Sequence, residues 1–232
     1  MYGSYFLGAE SGGWMILLFI AILFASYSQM KISNAYNKYS MINSGTGYTG
    51  AQIARILLDR NGLNHVRIEM VGGKLSDHYD PRTKVLRLSN SIYNGSSVAS
   101  MSVAAHEVGH AIQHDIGYFM LVLRNNIAPM VNISSRLVWI FIFLGFMISP
   151  IFADLGIAMF LFVVIFQLVT LPVEFDASRR ALAELSNGIS PRENIKPAKN
   201  MLSAAALTYV ASTLVAIAQL LRLLAMTNRR RN

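Results

Sequence analysis

His106-Glu107-Val108-Gly109-His110 is the stretch around which this chain is organised. On a helix, residues four positions apart lie on one face about 6 Å apart, so both histidines can point at one metal ion while Glu107 lies beside it. Neutral imidazoles bind Zn²⁺ and leave a coordination position for water, whose pKa the metal lowers to about 7. The stretch therefore predicts a helix that carries two zinc ligands and a general base.

The composition indicates a membrane protein. Of the 232 residues, 53% are hydrophobic and only 14% are charged, which is typical of chains with membrane spans. The sequence has no cysteine, so a metal must be held by histidine and carboxylate side chains. The net charge of +8 comes from basic residues that flank apolar runs, which favours a lipid bilayer over nucleic acid as the partner.

Short periodic segments between residues 31 and 117 predict a small α+β domain. Thr49 can cap a first helix, and Ser96 or Ser97 a second one that contains the histidine pair. The predicted elements are a helix over 50–60, strands over 66–70 and 84–88, and a helix over 98–114. This order is expected of a zincin-type domain, in which a sheet edge lies beside the site and can pair with an extended substrate.

Apolar runs outside that domain predict about four transmembrane helices, so the fold class we expect is a mainly α membrane protein with a small α+β zincin-like domain. The expected spans are 14–30, a hairpin of 136–152 and 154–172, and 201–221. Polar residues between Arg124 and Pro129 indicate an interfacial or irregular segment over 118–133. Pro172 is expected to start a new helix that carries Glu174.

These patterns divide the chain into five expected segments. They are an N-terminal membrane anchor (1–30), a zincin-like domain (31–117), an interfacial segment with a transmembrane hairpin (118–173), a helix and loop for a third ligand (174–200), and a C-terminal transmembrane helix with a basic tail (201–232). The metal site would thus draw on segments that are separated by the hairpin.

Two histidines and a water leave a zinc site one protein ligand short. His114 lies about 12 Å along the helix axis from His106, which is too far to bind the same ion. A metzincin-type third histidine is excluded, because Gln113 and Ile116 occupy positions that this pattern requires to be Gly and His.

Two carboxylates are therefore the candidates for the third ligand. Asp154 is an isolated acid in the hairpin, and site-2-type intramembrane proteases complete their site with such an aspartate. Glu174 follows the hairpin, whose two spans return the chain to the side that it left, so Glu174 can meet His110 at one metal. We favour Glu174 and keep Asp154 as the alternative.

Several stretches resemble one known family in their order. They are Gly47-Tyr48-Thr49-Gly50, Asp77-His78-Tyr79-Asp80-Pro81, 97–114, 167–177 and 204–210. The chain resembles the YugP-like neutral zinc metallopeptidases of bacterial membranes and, more widely, the gluzincins. The resemblance implies a membrane-bound zinc peptidase whose third ligand, a glutamate of a later helix, maps onto Glu174. Heat-shock-type membrane gluzincins have an aspartate where this chain has Ser178, so Asp176 is the candidate for the supporting role behind a histidine ligand.

The motif and the resemblance together predict a zinc-dependent endopeptidase that cleaves peptides or proteins, membrane proteins included. One Zn²⁺ would be held by His106, His110 and Glu174, with Glu107 as general base and proton shuttle. Candidate donors to the oxyanion are His78, Tyr79 and Tyr93. Two other hypotheses stay open: a site-2-type protease that uses Asp154, and a membrane scaffold that keeps a zinc-binding fold without catalysis.

Basic residues near the expected spans predict the orientation in the cell membrane. Those on the side of the metal domain are Lys31, Lys38, Arg124, Arg136, Arg179, Arg180, Arg192, Lys196 and Lys199. Because basic residues concentrate in the cytoplasm, the active site of this multi-pass protein is expected there. The tail Arg229–Arg231 opposes this if the last helix crosses fully, since four spans would place it outside.

Overall fold

Long helices make up most of this chain. The computed structural model describes residues 4–73 and 75–231, and the side chains of 13–73 and 75–228. The helices are α1 (Ser4–Ser40), α2 (Gly50–Arg60), α3 (Asn90–Tyr93), α4 (Val98–Asp115), α5 (Phe119–Met147), α6 (Pro150–Ser186) and α7 (Arg192–Arg231), and the strands are β1 (Arg67–Val71), β2 (His78–Asp80) and β3 (Val85–Ser89). The first three residues of the expected anchor and the side chains of the arginine tail lie outside the described residues.

Four helices are long and apolar enough to cross a membrane. They are Gly13–Ser40, Phe119–Met147, Pro150–Ser186 and Arg192–Asn228. Together with the small sheet, they confirm the prediction of a mainly α membrane protein with a small α+β region.

The chain divides into two compact units, each built from segments that are distant in sequence. The helical unit consists of Met1–Gln29, Leu123–Leu171 and Thr208–Asn232, and the α+β unit consists of Met30–Val122 and Pro172–Leu207. The histidine pair and Glu174 therefore belong to the same unit, although the Leu123–Leu171 segment of the other unit separates them along the chain.

The sheet of the α+β unit has three strands in the order β1-β3-β2. β1 runs parallel to β3, with Arg67 opposite Val85, and β2 runs antiparallel to β3, with Tyr79 opposite Leu86. β3 is central and largely buried. β2 is left as an edge strand that packs against α4. The predicted strands over 66–70 and 84–88 are confirmed with a shift of one residue.

Local capping signals determine where the two predicted helices of this unit begin. Thr49 caps α2 by accepting a hydrogen bond from the backbone of Gln52, whose side chain accepts one from the Thr49 backbone. Ser97 caps α4 in the same way through the backbone of Ser100. A side-chain oxygen at this position satisfies an otherwise unpaired helix amide. Both helix starts were predicted and are confirmed.

The core of the α+β unit joins the sheet, α2, α4, the C-terminal parts of α1 and α6, and the N-terminal part of α7. Its fully buried side chains include Ile53, Leu57, Leu86, Leu88, Met101, Leu185 and Met201. In α6, Ala177, Ala181 and Leu185 are 0% exposed. Their spacing of four residues places them on one helix face. That face fixes the end of α6 against the core of this unit.

The helical unit contains the α5 to α6 hairpin, which turns at Ile148 and Ser149. Pro150 begins α6, a position that suits proline because the first helix amide has no partner within the helix. A Cβ added to Gly145 would lie 2.4 Å from the Ala153 backbone, so the two helices approach closely beside the turn. Val138, Ile142 and Leu223 of α7 form a small apolar core, against which residues of α5 and α6 pack.

The prediction of an irregular segment over 118–133 is wrong, whereas the alternative of an interfacial segment stays a prediction. Residues Phe119–Met147 form one continuous helix with Pro129 inside it. Such a helix is about 43 Å long, which exceeds the roughly 30 Å hydrocarbon thickness of a bilayer. The polar residues Arg124, Asn125 and Asn126 near its N-terminal end can therefore stay outside the hydrocarbon, whereas Arg136 lies past the middle of the helix. The hairpin helices expected over 136–152 and 154–172 are correspondingly longer and turn earlier.

Pro172 does not start a helix, contrary to the prediction. It lies inside α6, which runs unbroken from Pro150 to Ser186. A proline removes one backbone hydrogen bond, and long apolar helices tolerate this when neighbouring groups compensate. Likewise, the expected span over 201–221 is the middle of the longer helix α7. Glu174 and the apolar residues before it therefore share one helix.

Candidate metal centre

Helix α4 brings His106 and His110 together. They lie one turn apart, and their rings are nearly perpendicular with centroids 4.8 Å apart. Their side chains are 13% and 12% exposed, so both rings are largely shielded from solvent. The rest of this helix is packed into the core through residues such as Ala104 and Val108, which holds the histidine face in place.

Glu174 of α6 completes a group that could hold a metal ion. Its Oε2 lies 3.2 Å from His106 Nε2 and 3.6 Å from His110 Nε2. One ligand atom from each of the three residues lies within 4.8 Å of the other two. The carboxylate is only 5% exposed, so a cation bound here would compensate a charge that is costly to bury.

The three side chains fit zinc in both chemistry and spacing. Zinc binds imidazole nitrogen and carboxylate oxygen at about 2 Å, usually with tetrahedral geometry. Two ligand atoms at such distances lie about 3.3 Å apart, which agrees with the separations of 3.2 and 3.6 Å between Glu174 Oε2 and the two imidazole nitrogens.

The other ring nitrogens of the two histidines have partners of their own. His106 Nδ1 lies 3.2 Å from the Ser178 hydroxyl, and His110 Nδ1 lies 3.0 Å from Gln113 Oε1. Engaging Nδ1 in this way leaves Nε2 of each ring to face Glu174, which is the arrangement usual for histidine ligands.

Asp176 lies behind this group. It accepts hydrogen bonds from Gln113 Nε2 at 2.9 Å and from Arg180 Nε at 2.6 Å, and it also pairs with Arg179. The sequence predicted Asp176 as the supporting group of a histidine ligand. In the structure its contact is with Gln113, which in turn contacts His110.

Glu107 is buried on the same helix. Burial raises the pKa of its carboxyl to about 7. Charged His106 would lower that pKa, Glu174 and Asp77 raise it, and a hydrogen bond from the Tyr79 backbone lowers it. Burial is the largest of these effects, so this carboxyl can exchange a proton near neutral pH.

The predicted oxyanion donors occupy different places in the fold. His78 is exposed, and its Nδ1 lies 2.8 Å from the Ser76 carbonyl oxygen. The Tyr79 hydroxyl lies 2.9 Å from His114 Nδ1, and burial raises the pKa of Tyr79 to about 12. Among the described residues, the candidate metal group contains His106, His110 and Glu174 but neither His78 nor His114.

A close approach between α4 and α6 brings the ligands within reach of each other. A Cβ added to Gly109 would lie 2.5 Å from the Ala177 carbonyl oxygen. Any residue larger than glycine would therefore push α4 and α6 apart. The contacts run in opposite order along the two helices, since His106 meets Ser178 and Gln113 meets Val173. Gly109, the fourth residue of the motif, therefore has a steric role, which is to let the two helices approach.

The alternative ligand Asp154 lies in the same helix as Glu174. A rise of 1.5 Å per residue separates the two by about 30 Å along the axis. Asp154 belongs to the helical unit, whereas the histidine pair and Glu174 lie in the α+β unit. This separation argues against Asp154 as the ligand that completes the histidine site.

Sequence reasoning missed Gln113 as a partner of His110, and it located the supporting position at Ser178 but assigned that role to Asp176. Gln113 lies three residues after His110, and Ser178 lies four residues after Glu174, so each is on the ligand face of its helix. That spacing was the available signal. Their contacts depend on how α4 meets α6, which no local pattern encodes.

Comparison with known proteins gives two matches. Residues 14–228 match the family described as "Putative neutral zinc metallopeptidase". Over 211 residues, 89% of this chain and 93% of the other, the sequence is 47% identical to "Putative membrane protease YugP" of Bacillus subtilis. No solved structure matches.

Proposed function

The chain belongs to this neutral zinc metallopeptidase family, and we propose that it is a zinc-dependent endopeptidase of the cell membrane. The observation that carries the proposal is the convergence of His106, His110 and Glu174, which each place one possible ligand atom within 4.8 Å of those of the other two. In this proposal the three residues hold one Zn²⁺, as in the gluzincins that the sequence resembles.

Zinc held there would polarise a peptide carbonyl and make a nearby water more acidic. Glu107 would accept the proton of that water on a carboxylate oxygen and pass it to the nitrogen of the leaving amine. Burial raises the pKa of this carboxyl to about 7 in the metal-free protein, and a zinc ion nearby would lower it, so that the group is ionised when it acts as the base. Ser178 would keep the His106 imidazole oriented through its Nδ1 atom.

The edge strand β2 is the proposed binding surface for substrate. β2 pairs with β3 on one side only and packs against α4, and the Tyr79 backbone donates a hydrogen bond to Glu107. An extended peptide can add to such an edge through backbone hydrogen bonds. We therefore propose peptide segments in extended conformation as substrates, with membrane proteins among their sources.

Glu107→Gln tests the proposed chemistry, since it keeps the size of the side chain and removes the base. We expect zinc content equal to wild type and peptide cleavage reduced by at least about 100-fold. Metal analysis and a casein or peptide cleavage assay on the purified full-length protein in detergent measure the two quantities. Glu69→Gln, a half-exposed acid of β1, is the matched control and should cleave normally. Activity that survives in Glu107→Gln would contradict the assigned role.

Glu174→Ala and Asp154→Ala, made in parallel, extend the same experiment to the metal. We expect zinc to be lost in Glu174→Ala and retained in Asp154→Ala. The reverse result would favour the site-2-type hypothesis. Zinc binding by a wild-type protein that cleaves no peptide would favour the scaffold hypothesis.

A cytoplasmic active site is the proposed orientation. It rests on Lys31 and Lys38 in the C-terminal part of α1 and on the basic residues of the other long helices, because such residues concentrate on the cytoplasmic side. The turn between α5 and α6, at 148–149, carries no basic residue, as expected of the opposite side.

A further inference from the structure

We infer that Gln113 is a positioning residue of the metal site, which orients His110 and also ties α4 to the part of α6 that carries Glu174. This inference rests on the proposed function, because it concerns the same three ligands. Gln113 is 0% exposed, and a buried amide is retained at low cost only when its hydrogen bonds are satisfied.

The orientation of the Gln113 amide follows from its partners. Its nitrogen lies 2.8 Å from the Val173 carbonyl oxygen and 2.9 Å from Asp176 Oδ2. Both of these atoms can only accept hydrogen bonds when Asp176 is ionised, so only the NH₂ group fits there. Arg180 pairs with Asp176 and keeps that carboxylate charged.

The fixed amide in turn selects the tautomer of His110. With its NH₂ group directed at α6, Gln113 presents Oε1 to His110 Nδ1 at 3.0 Å. An amide oxygen only accepts hydrogen bonds, so Nδ1 must carry the proton. The Nε2 atom, which lies 3.6 Å from Glu174 Oε2, is thereby left with its lone pair available for a metal.

The same amide also holds the third ligand. Val173 immediately precedes Glu174 and Asp176 follows it two residues later, so the two bonds from Gln113 Nε2 attach to α6 on either side of that ligand. One buried side chain therefore links the positions of His110 and Glu174. The Ser178 hydroxyl, by comparison, contacts one proposed ligand, His106.

Gln113→Met tests the inference, because it preserves the side-chain volume and removes all three hydrogen bonds. We expect the zinc affinity of the full-length protein, measured by competition with a chromophoric chelator, to fall by roughly 10- to 100-fold. The matched control is Ser102→Ala on the same helix, where a 0% exposed hydroxyl bonds only to the Val98 carbonyl oxygen. Equal zinc affinities for Gln113→Met and Ser102→Ala would overturn the inference.

A measurement on the metal-free protein needs no stable variant and does not depend on catalysis. The ¹⁵N shifts of labelled histidines report which ring nitrogen carries the proton. We expect His110 of metal-free wild type to be protonated at Nδ1 at a pH where the ring is neutral. Protonation at Nε2, the form that free histidine prefers, would overturn the inference.

The two experiments also separate this inference from the proposed function. A wild-type protein that binds zinc but cleaves no peptide would remove the proposed activity and leave the role of Gln113 intact. An enzyme that cleaves peptide, keeps its zinc affinity in Gln113→Met and has His110 protonated at Nε2 would support the proposed activity and contradict the inference.

Discussion

Glu107 and Glu174 are both buried carboxylates of the α+β unit, but they have different neighbours. Glu174 faces two imidazole nitrogens at 3.2 and 3.6 Å. Glu107 lies near the charges of Glu174 and Asp77, and burial raises its pKa to about 7. The proposed roles require this difference, because a metal ligand must stay ionised whereas a base must be able to hold a proton.

The raised pKa of Glu107 predicts a pH-dependent stability for protein stripped of metal. Folded protein holds this proton more tightly than unfolded protein, so the stabilisation is complete below about pH 4.5 and is lost as pH rises through about 7. The full effect is at most about 3 kcal/mol. Because glutamine does not titrate, we expect the Tm of Glu107→Gln minus that of wild type to increase from about pH 5 to pH 8.

Thermal unfolding of both proteins in detergent and excess chelator, followed by circular dichroism, measures that difference. Protons on groups that do not interact with Glu107 affect both proteins alike and cancel in the comparison, whereas a charge on His106 lowers the pKa of Glu107 and moves the transition to lower pH. A difference that stays constant or shrinks with increasing pH would show that burial does not raise this pKa.

At the level of elements, the pairing of α4 with α6 creates the site. Gly109 allows the Ala177 backbone to approach, Gln113 bonds to Val173 and Asp176, and Ser178 contacts His106. The face of α6 that follows these contacts is buried in the core at Ala181 and Leu185. The proposed ligand Glu174 is therefore held by the packing of the α6 residues that follow it and by the hydrogen bonds between α4 and α6.

Gly109→Ala tests this pairing through the sign of its effect on thermal stability. Alanine in an open helix position would stabilise by about 1 kcal/mol relative to glycine. Here the new Cβ would lie 2.5 Å from the Ala177 carbonyl oxygen, so we expect lower thermal stability and weaker zinc binding. Thermal unfolding and chelator competition measure the two effects.

The matched control for that substitution is Gly13→Ala on α1, where nothing lies within 4 Å of an added Cβ. It should leave zinc binding unchanged. If Gly109→Ala behaved like Gly13→Ala, the two helices would have room to separate and glycine would have no steric role in the motif.

The elements that could be predicted from the sequence have local causes. Thr49 and Ser97 predict where α2 and α4 begin, because capping depends on a few adjacent residues. Pro172 was misleading, because the tolerance of a helix for proline depends on groups elsewhere in the fold. Glu174 could be named from chain topology, whereas the contacts of Gln113 required the packing of two helices that are distant in sequence.

At the level of the whole molecule, three of the four long apolar helices carry polar ends that belong to the α+β unit. The unit boundaries fall within α1 after Gln29, within α5 after Val122, within α6 after Leu171 and within α7 after Leu207. No described loop marks these boundaries. The sequence becomes polar near residues 30 and 173 while the helix continues, and sequence patterns alone therefore placed helix ends or starts there.

Reporter fusions test the proposed orientation of the whole chain. A reporter active only in the cytoplasm, placed after Asn43, should give signal, and a periplasmic or external reporter at the same place should not. A second fusion after Asn232 determines whether α7 crosses fully, because its signal should be opposite if all four helices span. An external signal after Asn43 would reverse the proposed orientation.

The order of the ligands along the chain has a consequence for biosynthesis. His106 and His110 leave the ribosome well before Glu174, with the residues of α5 and most of α6 made in between. Chains are synthesised from the N-terminus and domains fold as they emerge. A nascent or truncated chain that ends before Glu174 has two histidines and a base but an incomplete metal site, so proteolytic capacity would arise only once the hairpin has been made and α6 has returned to α4.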